Sequence, residues 1–103
     1  MMKLTKQNYE ETIKNTEGLL VVDFWAEWCR PCKMLAPVIE SLSAKMTDVT
    51  FAKLNIDEEV EVALQNGVSS IPTLFFVKNG EVVKKSVGYM PEDELEKLID
   101  EIK

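Results

Sequence analysis

A chain of 103 residues, 46% hydrophobic and 29% charged, has the composition of one soluble globular domain and leaves little room for a second. Twelve Lys and Arg against eighteen Asp and Glu give a net charge of −6, which repels phosphate backbones and anionic lipid and argues against nucleic-acid and membrane partners. Two cysteines and no histidine exclude a single-chain zinc site of four Cys and His ligands, a Cys–His nucleophile pair and a Ser–His–Asp triad, which leaves mostly redox chemistry for Cys29 and Cys32.

The first ten residues turn polar at once, with no signal-peptide core, and no apolar run approaches the roughly 18 residues of a membrane span, so a cytoplasmic protein is expected. Thr5 can cap a first helix running through about Lys14, with Gly18 clearing the turn after it. Leu19 to Ala26 is an apolar run rich in β-branched and aromatic residues. It does not alternate polar with apolar, which predicts a central parallel strand covered on both faces. After Glu27-Trp28-Cys29-Arg30-Pro31-Cys32, a helical stripe of Leu35, Val38, Ile39, Leu42 and Met46 follows, with Pro37 expected to kink it.

Thr50 to Ile56 reads as another strand, with Ala52, Leu54 and Ile56 on one face. Glu58 to Asn66 reads as a short helix closed by Gly67. Thr73–Val77 and Val82–Val87 are two strands joined through Lys78-Asn79-Gly80-Glu81, where Asn-Gly is a strong hairpin signal. Pro91 to Ile102 is a last helix, with Leu95, Leu98, Ile99 and Ile102 at helical spacing and Pro91 suited to its first position. No linker or repeat interrupts this order, α-β-α-β-α-β-β-α, a mixed sheet with helices on both faces.

A C-x-x-C alone is shared by zinc ribbons, haem attachment and redox proteins. Cys29 and Cys32 follow a buried strand and open a helix, the place where open α/β sheets bind ligands. The three-residue offset brings both sulfurs to the same helix end, close enough to bond. The unpaired amides and dipole there stabilise a thiolate at Cys29. Cys32, one turn inward, is expected to be the more buried, so that exposed Cys29 attacks and Cys32 resolves.

The stretch from Val22 to Lys33 closely resembles the active-site segment of the thioredoxin family, and Pro37, Ile71-Pro72-Thr73, Asn79-Gly80 and Val87-Gly88 fall where that family places its matching residues. The resemblance spans nearly the whole chain. It implies one thioredoxin domain over 1–103: an α/β fold with a mixed five-stranded sheet flanked by four helices, β-α-β-α-β-α-β-β-α, including a short first strand near Met2 to Leu4. It implies a monomeric protein-disulfide reductase that needs no cofactor beyond the cysteine pair. Its partners would be disulfide-bearing client proteins and a thioredoxin-reductase-type electron donor. Cys29 would attack a client disulfide, and Cys32 would then release the client and leave a Cys29–Cys32 bond.

Asp23 matches the family's buried carboxylate, a proton acceptor toward Cys32 whose pKa burial raises; the competing reading is an Asp hydrogen-bonded for structure. Lys53 matches the lysine near that acid, against the alternative of a solvated strand lysine. Pro72 matches a cis proline beside the cysteines, and the backbone at Ile71 would pair with an extended client. Trp28, Pro31, Ile71 and Gly88 would rim a shallow apolar contact surface, and Trp25 and Phe24 are expected to be core.

The chain departs from the pattern at Arg30, where the family most often has Gly. With Pro31, Arg30 separates the cysteines, and its charge favours the thiolate and a slightly more oxidising pair; the alternative is a solvated charge without effect. Ser69 stands where Arg is frequent and Tyr89 where a small residue is usual, which puts partner preference in question. Two other classes compete: a zinc or iron–sulfur centre shared between two chains, disfavoured by Pro31, and a binding module in which the dithiol is incidental.

Overall fold

A computed structural model describes every residue from Met1 to Lys103. In chain order the elements are β1 (Met2–Lys3), α1 (Tyr9–Asn15), β2 (Leu19–Trp25), α2 (Arg30–Lys45), β3 (Val49–Asn55), α3 (Val60–Gln65), β4 (Thr73–Lys78), β5 (Glu81–Val87) and α4 (Glu92–Ile102). The strands form one sheet in the order β1-β3-β2-β4-β5. β1, β3 and β2 run parallel, whereas β4 is antiparallel to β2 and β5 to β4. This is the mixed five-stranded sheet with four helices that the resemblance implied.

The unbroken apolar run of β2 is explained by its position. As the middle strand it is buried from Leu19 through Phe24, and successive side chains go to opposite faces. Leu19 and Val21 enter a core with Leu35, Ile39 and Leu42 of α2 and Leu95 and Ile99 of α4. Leu20, Val22 and Phe24 enter a second core with Leu4, Tyr9 of α1 and Val62 of α3. By the same alternation Asp23 falls on the α2 face. β2 is parallel only to β3; its other neighbour is antiparallel, so the expected parallel strand is half right.

Several boundaries move, each for a local reason. Thr5 does not cap α1. Its carbonyl takes the amides of Asn8 and Tyr9, and Asn8 Oδ1 accepts the Thr5 N–H at 2.7 Å, so residues 5–8 close a turn and the helix starts at Tyr9. α3 begins at Val60, because Asn55 takes the amides just before it. β3 is shifted back by one residue. The hairpin turn shrinks to Asn79-Gly80, both at positive φ, 53° and 81°, which matches the strand twist. Pro91 stands just before α4, with extended backbone at ψ 155°, and not at its first helical position. No helix is long and apolar enough to cross a membrane.

Candidate active site

At the end of β2 the chain turns, with the Cys29 amide donating to the Ala26 carbonyl at 3.2 Å. Cys29 then becomes the N-cap of α2, in extended backbone, and Arg30 and Pro31 form the helix's first two positions. Pro31 is tolerated there because amides in the first turn have no helical acceptor. The Cys32 amide donates to Cys29 Sγ at 3.3 Å, so the N-cap role usually filled by a side-chain oxygen is filled by sulfur. The two sulfurs are bonded, with Cα atoms 5.2 Å apart.

The expected contrast in exposure is absent. Cys29 is 4% exposed and Cys32 3%. The reason lies in the loop before β4, where Cys29 Sγ lies 3.7 Å from the Ile71 carbonyl oxygen; the Ile71–Pro72 peptide in that loop is cis. Ala26, Cys29 and Cys32 form a small apolar cluster flanked by Trp25, Ile56 and Ile71. What separates the cysteines is the backbone amide aimed at Cys29, a donor that favours negative charge on that sulfur.

Trp28 and Pro31 are exposed, Ile71 and Gly88 half-buried, and Pro72 is buried. The Gly88 amide donates to the Pro72 carbonyl at 2.8 Å, whereas the Ile71 N–H and C=O have no backbone partner. None of the surface cavities is lined by either cysteine. The indole of Trp28 is 69% exposed, yet its N–H donates to Asp57 Oδ2 at 2.8 Å. Sequence reasoning missed Asp57. Asn-Ile-Asp after a strand signals a turn, but no local pattern points to a partner 29 residues away.

Asp23 is 3% exposed, and its Oδ1 makes no hydrogen bond within the chain. Burial pushes its pKa up to about 7, and the charge of Lys53 opposes that rise. Lys53 is the register partner of Asp23 on β3. It makes no ion pair with that carboxylate; its Nζ sits over the Trp25 ring, 4.6 Å from the centroid. Arg30 is exposed at the first position of α2 and also has no ion-pair partner. No group of three or more Cys, Asp or Glu side chains is placed to hold a metal ion.

A bonded cysteine pair at the start of a helix, flanked in the chain by exposed Trp28 and Pro31, is the arrangement of a thiol–disulfide exchange site. Comparison with known proteins points the same way. The Thioredoxin family model matches residues 1–101. The chain is 45% identical over 101 residues to a thioredoxin of Bacillus subtilis, covering 97% of this chain and 95% of that one. It is 50% identical over 96 residues to a thioredoxin of Chlamydia muridarum, covering 93% and 92%. Among solved structures, a chain from work on the thiol-resolving mechanism of a yeast mitochondrial 1-Cys peroxiredoxin superposes with a TM-score of 0.89, 34% identity and coverage of 98% and 94%. A cysteine pair so placed, in a sheet so ordered, with relatives this similar along almost their full length, puts the chain in the thioredoxin family, as a thiol–disulfide oxidoreductase.

Proposed function

We propose that residues 1–103 act as one monomeric thioredoxin domain in the cytoplasm, reducing disulfides of client proteins through Cys29 and Cys32. The observation that carries the roles is the Cys32 amide on Cys29 Sγ at 3.3 Å, which stabilises a Cys29 thiolate as the attacking group. That thiolate attacks one sulfur of a client disulfide, forming a mixed disulfide and releasing the other client sulfur as a thiolate. Cys32 gives up its proton and attacks Cys29 Sγ, releasing the second client thiolate and closing the Cys29–Cys32 bond. Two electrons have passed to the client, and a thioredoxin-reductase-type donor returns them. The cysteine pair is the only redox group needed.

Asp23 takes the Cys32 proton. A carboxyl with a pKa near 7 is partly ionised at neutral pH and is therefore able both to accept a proton and to lose it. Lys53 acts on Asp23 through its charge across the β2–β3 register. Arg30 tunes the pair electrostatically, and Pro31 holds the helix start between the sulfurs. The client lies over Trp28, Pro31, Ile71, Pro72 and Gly88 as an extended segment, pairing with the N–H and C=O of Ile71, which have no backbone partner. The chain's disulfides-for-thiols trade is tested with a protein disulfide and a small dithiol reductant. The parent accelerates cleavage beyond the reductant alone, Cys29→Ser abolishes the acceleration, and Cys32→Ser accumulates mixed disulfides. Equal rates with and without the protein would reject the proposal.

A further inference from the structure

Asn55 ends β3 and is one of few buried polar side chains, 8% exposed. Its Oδ1 accepts the amides of Asp57 at 2.8 Å and Glu58 at 3.4 Å. Its carbonyl accepts the amides of Glu58 and Glu59, at 3.2 and 3.0 Å. One residue thus fixes the path of the next four, a turn in which a side-chain acceptor works alongside the backbone one. The next residue ties this turn to the active-site strand: the Ile56 amide donates to the Trp25 carbonyl at 3.0 Å. Asp57 is exposed, and its carboxylate holds the Trp28 indole N–H at 2.8 Å.

Trp28 is a large ring with most of its surface in water, next to Cys29, and Asp57 is the only hydrogen-bond partner of its side chain. The direction of the Asp57 carboxylate depends on the backbone that Asn55 shapes. We propose that Asn55 is a positioning residue for the client-contact surface: its carboxamide fixes the 55–58 turn, the turn aims Asp57, and Asp57 sets the orientation of Trp28. The proposal rests on Trp28 belonging to the client rim. Asn55 itself touches neither sulfur nor client.

The test combines spectroscopy with kinetics on the full chain. In Asn55→Ala, hydrogen exchange at the Trp28 indole N–H, assigned by its loss in Trp28→Ala, accelerates about fivefold, the size set by one hydrogen bond to a charged group on a largely exposed partner. KM for a disulfide-bearing protein rises by a similar factor while kcat holds. Asn55→Asp, which keeps an oxygen in the acceptor position, restores both. Asn55→Ser, which keeps a shorter acceptor, gives intermediate values and serves if the alanine variant does not fold. In a Trp28→Ala background, Asn55→Ala raises KM less than about twofold further, because the coupled partner is gone. Folded Asn55→Ala or Asn55→Ser with parental indole exchange would overturn the proposal, as would an equal rise in KM with and without Trp28. Should Trp28→Ala itself leave KM unchanged, the rim reading fails, and indole exchange still decides whether Asn55 positions Trp28.

Discussion

At Asp23 the fold holds a carboxyl that water would ionise readily in an unfolded chain. Its pKa rises from 3.8 to about 7, chiefly through burial. Below about pH 4 the group is protonated in both states and costs nothing. Between pH 4 and 7 the unfolded chain releases its proton first, so the folded state binds more protons and stability falls as pH rises; above 7 the loss is constant. The shift is equivalent to about 4 kcal/mol. Asp23→Asn therefore gains several kcal/mol relative to the parent between pH 4 and pH 8, read from urea unfolding at a series of pH values. A difference that does not change with pH would reject desolvation as the cause. For Arg30, exposed and unpaired, the expected effect is much smaller. Arg30→Gly lowers the reduction potential by about 20 mV at most, less in high salt, and an unchanged or higher potential rejects the tuning role. Residue identities at the dithiol were legible because thiol chemistry needs those types at that spacing. The equal burial of Cys29 and Cys32 was not, since the Ile71–Pro72 loop that covers Cys29 lies about forty residues downstream. Nor was the Trp28–Asp57 bond, or the direction in which Lys53 points, toward Trp25.

Among the elements, α3 is a short helix that follows directly on the turn carrying Asp57. It is six residues long, buries only Val62 and Ala63, and starts three residues after Asp57. Such a short helix leans on its ends. At the C-terminal end the Gly67 amide donates to the Leu64 carbonyl at 3.1 Å and the Val68 amide to the Ala63 carbonyl at 3.0 Å, the paired bonds of a left-handed helix stop. Gly67 has φ +69°, and a Cβ there would meet nothing within 4 Å. The cost of Gly67→Ala is then purely conformational, about 1 kcal/mol. It appears as a lowered urea midpoint with an unchanged slope, and amide exchange in α3 accelerates more than in β2. A parental midpoint would mean that the stop contributes nothing. The Gly67 stop was visible in sequence, as were the β2 run, the Asn79-Gly80 turn and the stripe of α2, because each signal is contained within a few residues. β1 was not, being only two residues long; it is a strand because Met2 and Lys3 sit in register with Ala52 and Lys53. The starts of α1 and α3 were misread for a related reason: Asn8 and Asn55 divert nearby amides into turns before a helix can begin.

Taken as a whole, the molecule couples its stability to its redox state. The Cys29–Cys32 bond closes a ring of only four residues, and in the unfolded chain that constraint removes conformational freedom equivalent to about 2 kcal/mol. In the folded chain the backbone around the bond is already fixed between β2 and α2, so closing it costs little there. Oxidised protein should therefore resist unfolding better than reduced protein by up to about 2 kcal/mol. A thermodynamic cycle makes the same quantity a redox property: the fold must favour the bond over the open dithiol by the amount that the bond favours the fold. Expressed as potential, the folded pair lies up to about 40 mV below the same pair in the unfolded chain. The Cys32 amide on Cys29 Sγ works against this by stabilising the open thiolate, so the difference is largest in acid, where both thiols stay protonated. Urea unfolding of each form at pH 5, together with dithiol equilibration of folded and urea-unfolded chains, measures all four sides. Reduced protein as stable as oxidised protein at that pH would mean that the fold exerts no pull on the bond, and its potential would then have to be set by local electrostatics alone.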